Sequence, residues 1–71
     1  MRNSIEIEGL IGKRIRLIHM DDNDPNPIED GATGTIMGYY PFNGGDVIDV
    51  DWDNGRTLKL IDSVDKWELI P

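Results

Sequence analysis

Gly44-Gly45-Asp46-Val47-Ile48-Asp49-Val50-Asp51-Trp52-Asp53-Asn54-Gly55-Arg56-Thr57-Leu58-Lys59-Leu60-Ile61 decides the fold of this chain. Ile48, Val50 and Trp52 alternate with Asp49, Asp51 and Asp53, the period of a strand with one buried face. Leu58 and Leu60 resume that period after Asp53-Asn54-Gly55. A two-residue loop of Asn54 and Gly55 would set Val50 opposite Lys59 and bury a lysine. A three-residue loop of Asp53, Asn54 and Gly55 sets Val50 opposite Leu58, Ile48 opposite Leu60, and Asp49 opposite Lys59 on the outer face. A slip of one residue turns every side chain over, so burial selects the three-residue loop. The turn is then a type I turn closed by a bulge, with Gly55 in the left-handed region where a Cβ would be strained.

Working outward, Lys13 to Met20 reads as the first strand, with Ile15 and Leu17 on one face and Arg14 and Arg16 on the other. Ile18 breaks that alternation. Asp21 to Gly31 is a loop, because Asp22-Asn23-Asp24-Pro25-Asn26-Pro27 is turn chemistry throughout. Ile28 is expected to tuck back onto the core. Ala32 to Tyr40 is a second strand, in which Gly34 and Gly38 point to strong curvature or close backbone approach. Pro41 to Gly45 reads as a turn, Asp62 to Asp65 as a single 3₁₀ turn, and Lys66 to Ile70 as the last strand. Gly9 and Gly12 bracket a bend after Ser4–Leu10, which fits either a short strand or one helical turn. Five short strands without a helical period predict an all-β, strongly bent antiparallel barrel. Its expected core is Ile15, Leu17, Ile36, Ile48, Val50, Leu58, Leu60, Trp67 and Leu69. On the outward phase Ile18, Val47, Ile61 and Ile70 form a second apolar set, for which Ile5 and Ile7, or a second copy, are the expected cover.

The 71 residues allow one domain, and a domain of this size buries only roughly 60% of its unfolded surface. There are no cysteines, so neither disulfides nor thiolate metal sites support it. No apolar run exceeds three residues, too short for a membrane-spanning helix. Met1-Arg2-Asn3-Ser4 leads into no secretory apolar segment, which predicts a cytoplasmic location in a bacterium or a host cell. Fourteen acids against seven bases give a net charge of −7, which repels free nucleic acid on average.

Arg14-Ile15-Arg16-Leu17-Ile18 with Met20, Gly34-Thr35-Ile36, Asp51-Trp52-Asp53-Asn54-Gly55-Arg56, Leu58, Leu60-Ile61, Val64-Asp65 and Trp67 together resemble domain-of-unknown-function family 4314. That family occurs in bacteria, phages and other mobile elements. The resemblance covers about residues 12 to 70. It implies an SH3-like barrel, here placed over residues 12–71; residues 1–11 are expected, from Ile5 and Ile7, to form an extension that packs on the domain or a partner. It implies a bacterial or phage origin and no established activity. The chain departs from the family pattern at Asp62-Ser63, where Pro-Gly is usual, and at Tyr39–Gly45, which is longer and more aromatic.

No residue set carries catalysis. His19 is the only histidine and Ser4 and Ser63 are the only serines, so no nucleophile–base–orienter set assembles in sequence. Asp49, Asp51 and Asp53 echo a calcium loop, but Asn54 and Leu60 stand where that loop needs Gly and Glu. No glycine-rich loop opens a helix to hold phosphate. No cofactor is expected. Trp52 and Trp67 fall on the core-facing phase, which favours packing over base stacking.

Two functional readings follow. In the first, the chain is a small acidic protein-binding module, an adaptor or inhibitor of a host protein. Its binding residues are Tyr39, Tyr40 and Phe42, placed at a loop tip, with the acidic face of Asp49, Asp51 and Asp53. The chain is then a monomer, or a homodimer through its amino-terminal segment. In the alternative, an SH3-like domain contacts nucleic acid through Lys13, Arg14, Arg16 and Arg56. The charge balance favours the first.

Overall fold

The computed structural model describes residues 9–42 and 45–71. The chain forms five strands in order: β1 (Arg14–His19), β2 (Thr33–Phe42), β3 (Gly45–Trp52), β4 (Leu60–Ile61) and β5 (Lys66–Leu69). They make one antiparallel sheet in the order β4-β3-β2-β1-β5. The all-β class and five-strand count agree with the sequence reading. The barrel is only loosely realised, because among the described residues no ladder joins the edge strands β4 and β5. Residues 1–8, with Ile5 and Ile7, lie outside the described residues.

Two β-bulges bend this sheet. In β1, Leu17 faces Trp67 and His19 faces Lys66, so Ile18 is the extra residue and stands exposed. The break in alternation at Ile18 has this cause, and the shifted phase returns Met20 to the core. In β2, Ile36 faces Val50 and Gly38 faces Asp49, so Met37 is the extra residue. Gly34 serves close approach: a Cβ there would lie 2.7 Å from Val50 Cγ1 and 2.8 Å from the Asp51 carbonyl oxygen.

The central turn forms as the burial argument requires. Gly55 has φ +84° and its N–H donates to the Trp52 carbonyl at 3.0 Å. Ile48 faces Leu60, and Lys59 Nζ lies 3.1 Å from Asp49 Oδ1. The expected pairing of Val50 with Leu58 is not in the ladder, which begins only at Leu60. In a continued ladder the Leu58 carbonyl would accept from Val50. Instead it accepts the Trp52 indole N–H at 2.7 Å, since a buried indole needs an acceptor. Leu58 is therefore half-buried against the core rather than within it.

The core joins Ile15, Leu17, Met20, Ile28, Ile36, Ile48, Val50, Trp52, Leu60 and Trp67, with Leu10, Ala32, Tyr39 and Leu58 packed against it. Ile28 folds back from the Asp21–Gly31 loop as expected. Leu69 does not join: it is 48% exposed at the end of an edge strand that no described element covers. Asp65 links the two edges where a ladder is missing. One of its carboxylate oxygens accepts the Asp21 N–H and the other accepts the Ile61 N–H, both at 2.8 Å.

Candidate functional site

The turn expected at Pro41–Gly45 is strand where it is described: Pro41 and Phe42 extend β2 beyond Tyr40, and Gly45 opens β3. Tyr39 to Phe42 continue β2 and pair with Ile48, Val47, Asp46 and Gly45 of β3. The bulge at Met37 sets the orientation of this stretch. With an unbroken period from Ile36, Tyr40 would face the core. With one extra residue, Tyr39 packs on the core and Tyr40 turns outward beside Val47.

A cross-strand row results on the outer face, Tyr40–Val47–Ile61, through the register of β2, β3 and β4. Val47 is the floor and is buried although it belongs to the outward phase. Tyr40 and Phe42 rise on the β2 side, and Thr57, Leu58, Lys59 and Ile61 on the other. Together they enclose an open groove of about 470 Å³. Phe42 is 61% exposed and Tyr40 44%, so the aromatic wall does not fold down over the core.

A family model, Domain of unknown function (DUF4314), matches residues 9–70. The chain belongs to this family. No curated protein and no solved structure matches the chain. The DUF4314 match starts at Gly9, three residues earlier than the motifs alone delimit, and takes in Leu10, which packs on the core.

The other candidate residues of this DUF4314 domain divide between the groove and internal structure. Asp49 and Asp51 share the outer phase of β3 with Val47. Asp49 pairs with Lys59 at the groove wall. Asp51 is exposed, and its carboxylate makes no hydrogen bond among the described residues. Asp53 lies apart from the groove, where it accepts from Arg14 Nη1 at 2.9 Å, from Arg14 Nη2 and from the Thr33 hydroxyl at 2.6 Å. The Arg14 hydrogen bonds hold the Asp53 carboxyl well below the usual carboxylate range, and Asp53 in turn raises the Arg14 guanidinium. No three acidic or histidine side chains are placed to hold a metal ion among the described residues.

The basic strip is divided too. Arg14 is committed to Asp53 and also donates to the Thr35 hydroxyl at 3.1 Å. Arg56 donates to the carbonyls of Asn26 at 2.6 Å and Pro27 at 3.4 Å, and so holds the Asp21–Gly31 loop. Lys13 and Arg16 are exposed and have no side-chain partner among the described residues. The tryptophans are buried as expected, and Trp67 Nε1 donates to Asp62 Oδ1 at 2.8 Å. His19 closes β1 with Nδ1 2.9 Å from Asp30 and Nε2 2.5 Å from Asp22. Hydrogen bonds to Asp22 and Asp30 raise its pKa. Among the described residues no helix is long and apolar enough to cross a membrane.

The sequence marks Tyr40 and Phe42 as a loop anchor and Val47 and Ile61 as a second apolar set. Only the register joins them into one site. Ile18, assigned to the same set, lies in β1, beyond β2, and does not reach it. Leu58 was missed as a wall residue, because the Trp52 indole contact that moves it out of the ladder has no sequence signal.

Proposed function

We propose that this DUF4314 domain is a small acidic, non-catalytic protein-binding module of a bacterium, phage or mobile element. It acts as an adaptor or inhibitor by occupying the surface of a host protein. The observation that carries this reading is the outer-face groove. Tyr40, Phe42, Leu58 and Ile61 keep apolar surface in solvent around an already buried Val47. Scattered apolar residues are ordinary, but a contiguous group walled by aromatic side chains is the usual form of an interface anchor. The nucleic-acid reading loses support because Arg14 and Arg56, half of its basic strip, already hold internal partners.

Affinity capture from a bacterial lysate, with and without nuclease, compares the chain with a Tyr40→Ala/Phe42→Ala variant. The expected result is a nuclease-resistant protein partner that the variant does not retain, with an unchanged melting curve. Capture that disappears with nuclease, or that falls steeply as salt rises in proportion to phosphates contacted, overturns the proposal.

A further inference from the structure

The groove wall from Thr57 to Ile61 is also an edge of the sheet, and its backbone is open at two residues. Burial alternates along it: Thr57 exposed, Leu58 half-buried, Lys59 exposed, Leu60 buried, Ile61 exposed. The phase of β4 therefore runs back to Thr57, although its ladder with β3 covers only Leu60 and Ile61. Alternate residues of a strand turn their N–H and C=O groups to the same edge, so Thr57, Lys59 and Ile61 share one side. At Ile61 that side faces away from β3. Its N–H donates to Asp65 Oδ2 at 2.8 Å, and its carbonyl accepts the N–H groups of Val64 at 3.1 Å and Asp65 at 2.9 Å. Leu58, of the other parity, turns its carbonyl to the Trp52 indole. Thr57 and Lys59 have no such partners: among the described residues neither their N–H groups nor their carbonyls make a hydrogen bond.

Edge strands that lack a bulge, a proline or a cover accept an added strand, whose main-chain hydrogen bonds supply affinity and whose alternate side chains supply specificity. Asp65 blunts this edge at Ile61 alone. Thr57 and Lys59 stand two residues apart, the repeat of an antiparallel ladder, and every other pairing in the sheet is antiparallel. A strand bonded to both sets its residues opposite them on the outer face. The residue between falls on the inner face beside Leu58, which is only half-buried. The charged side chains of the open stretch are Arg56 and Lys59. Lys59 has one carboxylate partner, Asp49, in an exposed pair, and Arg56 donates to the Asn26 and Pro27 carbonyls. The whole chain carries −7, so a second copy would bring like charge to this edge.

We infer that the Thr57–Lys59 edge takes an extended acidic segment of the partner protein as an added antiparallel strand, with an apolar side chain on Leu58 and carboxylates beside Lys59. This rests on the binding-module reading and states the form in which its partner binds. Opposite charges on facing strands and complementary polarity on the two faces fix the register.

The test follows the full chain by NMR with synthetic peptides of one length. The parent peptide alternates isoleucine and glutamate. A second is N-methylated on its glutamates, a third on its isoleucines, and a fourth carries lysine in place of glutamate. The expected result is that the parent shifts the amide signals of Thr57, Leu58 and Lys59 and slows exchange at Thr57 and Lys59. Methylation of the glutamates, whose N–H groups face the edge, should weaken binding by about tenfold or more, the net worth of one or two hydrogen bonds. Methylation of the isoleucines should leave it unchanged, and the lysine peptide should bind several-fold more weakly. Absence of shifts at these residues, or equal binding by both methylated peptides, overturns strand addition. Loss confined to the isoleucine-methylated peptide overturns the antiparallel register, and equal binding by the lysine peptide overturns the acidic partner. Slow exchange at Thr57 and Lys59 in the chain alone overturns the inference as well. It assigns the edge to the amino-terminal segment if Ile5→Ser/Ile7→Ser abolishes it, and to a second copy if it rises with concentration. The capture experiment with Tyr40→Ala/Phe42→Ala decides the module reading separately, because it leaves this edge untouched.

Discussion

On its inner face β3 presents Ile48, Val50 and Trp52, and on its outer face Val47, Asp49 and Asp51. The inner row packs into the core, against strand residues and against Met20 and Ile28 from outside the strands, and is finished by one polar contact, the Trp52 indole on the Leu58 carbonyl. The outer row begins the same way, with Val47 buried under Tyr40 and Ile61, but its walls stop in solvent and it passes into carboxylates. The two faces share backbone, neighbours and spacing. What separates them is whether the surrounding apolar side chains have something beyond them to touch. On the inner face such contacts stabilise the fold, and on the outer face they remain available to another molecule.

The largest expected effect therefore comes from the inner face. Leu60 is fully buried opposite Ile48, whereas Leu58, two residues away, is half-buried on the groove wall. Leu60→Ala should cost roughly 2–5 kcal/mol, a large part of the stability of so small a domain. Leu58→Ala should cost less than half of that. Urea unfolding of the two variants side by side measures the difference, and equal losses would erase the distinction between the faces at this edge.

Much of the inner face was legible from sequence because a single constraint governs it. The alternation of Ile48, Val50 and Trp52 with aspartates, the need to keep Lys59 out of the core, and the glycine at position 55 lead to one register, and Ile48 does face Leu60. The outer site was legible only in pieces. Tyr40 and Phe42 stood out as aromatic residues around a proline, and Val47 and Ile61 as apolar residues in the wrong phase. Their union depends on the bulge at Met37, and one inserted residue leaves no mark in a two-residue period until a partner strand is known. The bulge at Ile18 did leave a mark, because it put an isoleucine among arginines. Leu69 was misplaced for a different reason: its phase is right, but phase does not reveal that an edge strand's end lacks a cover.

The next effect in size is at Asp65, which holds the edge beside the groove. Asp65→Ala removes the acceptor for both the Asp21 and the Ile61 N–H groups. Both hydrogen bonds are only part-buried, so their loss should cost about 1 kcal/mol and show as a lower urea midpoint. Faster amide exchange at Ile61 than at Leu60 would locate the damage, because Leu60 keeps its pairing with β3. Unchanged exchange at Ile61 would mean that the carboxylate does not guard this edge. Smaller still is Phe42→Ala, whose ring already stands in solvent. Its stability change should stay within about 0.5 kcal/mol, as for ordinary surface positions, and a larger loss by calorimetry would move Phe42 from the outer surface to the core.

The smallest expected effect is electrostatic and distinguishes the two ends of β1. At its start Arg14 holds Asp53, whose folded pKa lies below the ordinary value of 3.8. A lowered carboxyl contributes stability that is present above the unfolded pKa and is lost as pH falls below about 4 towards the folded value. At the other end His19 sits between Asp22 and Asp30, and its folded pKa lies above 6.5. A raised histidine contributes stability that is fully present below about 6.5 and is lost as pH rises through the folded value. Both contributions are therefore fully present between about pH 4 and 6.5, and the His19 one persists above that until its folded value is passed. Both are exposed and screened, so each should shift the melting temperature only slightly, and less at high salt. The melting temperature of the parent minus that of His19→Gln should be largest near pH 6 and should shrink towards pH 9. For Asp53→Asn the gap should be steady from neutral pH down to about 5 and shrink below 4. A His19 ring titration with its midpoint at or below 6.5 would show that the two aspartates do not clamp the imidazolium. A gap for His19→Gln that grows with pH would reverse the assignment of which protonation state binds the loop.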